Sequence, residues 1–154
     1  MKKEIKMKCY EVMVSTKLPA THPCAGRPTD FERLVLEGIK ITTMRGKYAK
    51  WLKRIEEINE GKAYLSLRVW DGASYGKGVK QREIKRLYHA GIQEIEVSCS
   101  RINIHSVSID GQQDLRLPTI ASNDGLSVHN MLDWLCPNGE PFSGCIIHFT
   151  NFRY

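Results

Sequence analysis

A chain of 154 residues is long enough to bury one hydrophobic core without disulfide or metal staples, which sets the expectation of a single domain over residues 1–154. Lys and Arg number 23 against 17 Asp and Glu, a net charge of +6 that favours approach to phosphates without defining a nucleic-acid binder. Five cysteines with no CxxC pair exclude a disulfide-built scaffold and point to free thiols in a cytoplasmic protein, and no apolar run approaches the roughly 20 residues of a membrane helix, so no membrane partner is expected.

In chain order, residues 8–14 read as a first strand, with Lys2, Lys3, Lys6 and Lys8 forming a solvated start. Residues 18–28 hold three prolines and form a loop in which His22 lies just ahead of the polar motif described next. A helix begins with Pro28 near its first turn and stops at Gly38, with Phe31, Leu34 and Val35 facing the core.

Gly38-Ile39-Lys40-Ile41-Thr42-Thr43-Met44-Arg45 follows directly. In an extended chain Thr43 and Arg45 share a face, and Lys40 projects close by across the turn that Gly38 begins. An ammonium, a hydroxyl and a planar guanidinium together suit an anionic or amide-bearing ligand, since they offer donors of three geometries and one potential nucleophile.

Residues 47–60 make a second helix with Trp51, Ile55 and Ile58 as its apolar stripe and Gly61 as its stop. A strand over 63–70 leads into a glycine-rich stretch, 71–78, that lacks the phosphate-loop signature and reads as a hairpin loop. Lys77, Lys80, Arg82, Lys85 and Arg86 then form a basic run. Residues 92–109 alternate as strand with a break near Ser100, Asp110-Gly111 is a turn signal, and 112–117 is the returning strand. The last helix covers 126–135, with Asn123, Asp124 or Ser127 available as its cap and Pro137 after its end. Cys136, Cys145 and His148 come nearest to a zinc set, but Cys145 falls in an apolar strand, so neither metal nor cofactor is expected.

Gly38, Lys40, Thr43 and Arg45 resemble the Gly-x-Lys-x-x-Thr-x-Arg signature of ASCH domains. Residues 28–37 resemble the short helix ahead of that signature, residues 121–134 the late acidic loop and helix, and residues 145–149 the closing strand. The resemblance implies an α+β fold, a PUA-like mixed β-barrel with about three flanking helices. It implies RNA or a modified nucleoside as partner. It also implies an alternative, because some small bacterial members are amide hydrolases that act on N4-acylated cytidine nucleosides through a lysine, a threonine and a glutamate. By position these are Lys40, Thr43 and Asp124, the aspartate being one methylene shorter than the family's glutamate. In the hydrolase reading Thr43 attacks the amide carbonyl, Lys40 takes or relays the hydroxyl proton and Asp124 orients the attack. In the binding reading Arg45, Lys80, Arg82, Tyr75 and His22 hold the ligand: the basic second helix and the run over 77–86 contact phosphate, and an aromatic such as Tyr75, Tyr48 or Trp70 stacks on a base.

Overall fold

The computed structural model describes residues 6–72, 76–99 and 105–154. Among them eight strands form two sheets and four α-helices pack on the sheets, an α+β architecture. The elements in order are β1 (Lys8–Met13), α1 (Phe31–Leu36), β2 (Thr42–Arg45), α2 (Tyr48–Asn59), β3 (Ala63–Trp70), β4 (Gln81–Leu87), β5 (Gly91–Cys99), β6 (His105–Ile109), β7 (Gln112–Gln113), α3 (Leu117–Asn123), α4 (Val128–Leu135) and β8 (Phe142–His148).

The first sheet runs β1-β3-β4, with β1 parallel to β3 and β3 antiparallel to β4. The second runs β2-β8-β5-β6-β7 and is antiparallel throughout. Parallel pairing of β1 with β3 demands a crossover, and the crossover here contains α1, β2 and α2. The chain therefore leaves the first sheet, lends β2 to the edge of the second, and returns along α2. Strand pairing among the described residues leaves both sheets open, with β1 and β2 as edge strands. A side chain joins those edges, since Arg45 at the end of β2 donates from Nη2 to the Met13 carbonyl at the end of β1, 2.6 Å away.

Two apolar cores result. In one, Trp51, Ile55 and Ile58 of α2 pack with Leu65 and Leu67 of β3 and Phe31 and Val35 of α1. In the other, Ile120 of α3 and Met131 of α4 pack on Ile95, Val107 and Ile146. The stripe read from α2 is thus buried as its spacing requires.

The helix expected from Pro28 starts three residues later. Pro28 forms an isolated bridge with Lys17, and the Thr29 hydroxyl accepts from the Phe31 amide to open α1. The returning strand expected over 112–117 shrinks to Gln112–Gln113, and α3 takes over from Leu117. Asp114 turns the chain away from the ladder, its Oδ1 accepting from the Arg116 amide at 2.8 Å, and Pro118 fits the first turn of the helix that follows. Four helices stand where about three were expected. The strand pair β5–β6 is formed as its alternation implies, while the break near Ser100 lies outside the described residues.

Candidate functional site

The two sheets and α4 enclose a cavity lined by Lys40, Thr43, Arg45 and Asp124 on its polar side and by Phe31, Met131 and Trp134 on its apolar side. Its volume is about 40 Å³, room for a few water molecules. The polar residues arrive by different routes. Thr43 and Arg45 sit on alternate positions of β2, whose pairing with β8 fixes them opposite Ile147 and Cys145. Lys40 precedes β2 and is held by its backbone amide donating to Leu34, while the Ile41 amide donates to the Asn123 carbonyl. That last bond ties the motif to the end of α3, where Asp124 is the capping residue.

Lys40 and Asp124 are 3 % and 7 % exposed. Lys40 Nζ lies 2.7 Å from the Thr42 carbonyl, 2.7 Å from the Asp124 carbonyl and 3.3 Å from Asp124 Oδ1, so all three ammonium hydrogens have an acceptor. Asp124 Oδ1 also accepts from the Thr42 hydroxyl at 3.2 Å. Burial pulls the Lys40 pKa down and pushes that of Asp124 up, and their mutual attraction opposes both shifts. With three acceptors placed around Nζ, the ammonium–carboxylate pair is the state that the geometry holds. Lys40 Nζ also stands 4.2 Å above the Phe31 ring centre.

Arg45 donates from Nη1 to Thr43 Oγ at 2.8 Å and to the Met44 carbonyl at 2.8 Å. Thr43 Oγ is therefore an acceptor whose own hydrogen has no partner among the described residues. Asp124 Oδ2 likewise makes no hydrogen bond there and remains accessible. The cavity thus presents a hydroxyl donor, a guanidinium edge and a carboxylate oxygen to whatever enters it.

Asp124 reaches its partners because the chain comes in close. The next residue, Gly125, has φ of +81°, and a Cβ there would stand 3.2 to 3.3 Å from Phe31, Leu34 and Lys40. Gly144 does the same on β8, where a Cβ would lie 2.2 Å from the Arg45 carbonyl oxygen.

Of the residues expected at the site, Lys40, Thr43, Arg45 and Asp124 share the cavity. His22 does not line it. Its Nδ1 accepts from the Cys24 amide, which leaves Nε2 to donate to the Asn130 carbonyl at 3.1 Å, so His22 fastens the 18–28 loop to α4. Lys80 and Arg82 do not line it either. Lys80 is exposed beside β4, and Arg82 is held by Glu32, 2.8 Å from Nη2, and by Asp71, 2.8 Å from Nε. Tyr75 lies outside the described residues. Asp124 caps no following helix, and Ser127 does that work for α4 by accepting from the Asn130 amide.

Three contributors escaped the sequence reading. Thr42 shares parity with Lys40 and so turns toward Asp124, a signal that was present in the motif. Phe31 reads only as a core residue of the first helix and Trp134 has no role in the sequence reading of the last, yet their rings stack at 5.8 Å across the cavity's apolar side. Among the described residues no group of three or more His, Cys, Asp or Glu could hold a metal ion, and no helix is long and apolar enough to cross a membrane. Compared with family models, curated proteins and solved structures, the chain has no significant match.

Proposed function

We propose that the chain is an ASCH-like domain of PUA-like kind that binds a nucleoside-derived ligand, free or within RNA, in the Lys40–Asp124 cavity. The observation that carries this reading is the convergence of Asp124 on Lys40 across 84 positions of sequence, together with Thr43 and Arg45, on one polar cavity. Closure of the two sheets into a barrel is part of the proposal and is supported by the Arg45 bond to β1. In this reading Lys40 holds Asp124 in place, and Arg45, Thr43 and Asp124 Oδ2 meet the polar edge of the ligand.

Hydrolysis of N4-acylated cytidine is the second reading. The Thr43 hydroxyl, whose hydrogen has no partner among the described residues, and Asp124 Oδ2 in one cavity favour it. Against it stands Lys40, whose hydrogens are all engaged and which has no lone pair to accept the Thr43 proton. Calorimetric titration with cytidine and N4-acetylcytidine, beside an assay for released acetate, separates the two. Binding that Arg45→Ala weakens, with no acetate released, is the expected result. Acetate release that Thr43→Ala abolishes would make the hydrolase the function, and absence of binding by either nucleoside would refute both readings.

A further inference from the structure

The cavity is too small for the ligand class that its polar side fits. Ligand pockets run to several hundred Å³, and this one offers about 40 Å³. Some wall has to move. Lys40, Thr43, Asp124 and Met131 are buried, and the first three are tied down by strand pairing or hydrogen bonds. Trp134 is only half-buried.

Its place in α4 gives it freedom. The first half of this eight-residue helix is pinned by the Ser127 cap and by His22 donating to the Asn130 carbonyl. Trp134 sits in the last turn, just before Cys136 leaves helical geometry at φ −120° and ψ 60°. A terminal turn is where local opening costs least. The indole lies nearly parallel to the Phe31 ring, at 16° and 5.8 Å between ring centres, well inside the range of an offset stack. The Phe31 ring has contacts that do not depend on the indole, since the Lys40 ammonium stands 4.2 Å over it and it is buried in the core.

We propose that Trp134 is the displaceable wall of this cavity, and that a flat heteroaromatic ring of nucleobase type enters by taking the indole's place against Phe31. The exchange replaces one aromatic stack with another, so the opening is offset by the ligand's own contact. The ring's polar edge then meets Arg45, Thr43 and Asp124 Oδ2. The inference rests on the nucleoside reading above and adds to it the aromatic surface that selects a planar ring.

The test is 19F NMR on protein labelled with 5-fluorotryptophan, whose three tryptophans, Trp51, Trp70 and Trp134, give separate signals, with Trp134→Phe assigning the last. Cytidine and adenosine are the probes, and ribose is the non-aromatic control. The nucleosides should move the Trp134 signal toward that of an exposed indole while ribose leaves it in place. Phe31→Leu should weaken nucleoside binding about tenfold, the loss of one base stack, whereas Trp134→Ala should bind at least as tightly as the unaltered protein because its wall is already open. Nucleoside binding that depends on Arg45 but leaves the Trp134 signal unmoved, or that Trp134→Ala weakens, would overturn the inference and leave the function intact. No binding of either nucleoside would overturn both.

Discussion

Replacing Lys40 by methionine keeps the length of the side chain and removes its charge, which isolates what the ammonium does for Asp124. The carboxylate would then be buried with the Thr42 hydroxyl as its one remaining hydrogen-bond partner among the described residues and only the Arg45 charge nearby to offset its own. Breaking one side of a buried pair costs about 3–5 kcal/mol, so Lys40→Met should lower unfolding free energy by about that much in urea titrations. The double variant Lys40→Met/Asp124→Leu should recover part of the loss, since it leaves no charge behind. A single variant as stable as the parent would mean that the pair is not held as ions. A second titratable residue lies close by in the sheet. His148 pairs with Thr42 across β2 and β8, is 0 % exposed, bonds through Nε2 to Gln93 Oε1 at 2.9 Å, and leaves Nδ1 without a partner among the described residues. Burial, and to a lesser degree the Arg153 charge, pull its pKa from 6.5 to about 4, with Asp110 acting the other way. The unfolded chain therefore takes up a proton near pH 6.5 while the folded one refuses it until about 4. Stability is complete above the higher value and falls as pH drops through that window, by about 3 kcal/mol in total. Urea unfolding at several pH values should display this slope, and His148→Leu should flatten it.

At the scale of elements, two glycines with similar backbone angles test what shapes the cavity. Gly38 ends α1 with φ of +73° and open space around its Cβ position, whereas Gly125 has φ of +81° and three close neighbours. Alanine at either position meets the left-handed backbone cost of roughly 1–2 kcal/mol. Only Gly125→Ala should also push on Phe31 and Lys40, so it should lower nucleoside affinity while Gly38→Ala lowers melting temperature alone. Equal affinity in the two variants would detach Gly125 from the site. The sequence displayed these punctuation marks and the period of α2, because glycine stops and apolar stripes are local signals. It did not display α3. That helix spans seven residues, too short for a readable stripe, and it begins at Leu117, the last residue of an expected strand. The site was legible in the same uneven way. Lys40, Thr43 and Arg45 lie within six residues of one another, and their alternation is what the strand uses. The Phe31–Trp134 pair joins helices about a hundred residues apart in the chain and leaves no mark on local spacing.

Across the whole molecule, a net charge of +6 does not say which surface is free to attract phosphate. The run on β4 is the denser in sequence, but Arg82 is engaged by Glu32 and Asp71, and Arg86 by Glu83. Those carboxylates come from α1, from the loop after β3 and from β4 itself, so the compensation arises only on folding. Lys47, Lys50 and Lys53 of the α2 region are exposed, and none forms an ion pair among the described residues. They follow within eight residues of Arg45, at the start and along the first half of α2. If RNA is the ligand, its backbone should run over α2. Each phosphate neutralised on a single strand adds about 0.7 to the slope of log affinity against log salt. Lys47→Gln/Lys50→Gln/Lys53→Gln should therefore flatten that slope by about 2, measured by fluorescence anisotropy with a single-stranded oligonucleotide. Arg82→Gln/Arg86→Gln should leave it nearly unchanged, because both arginines already have their anions. A slope that responds to the β4 pair and ignores the α2 lysines would place the backbone on the other sheet and separate RNA binding from the Arg45 side of the cavity.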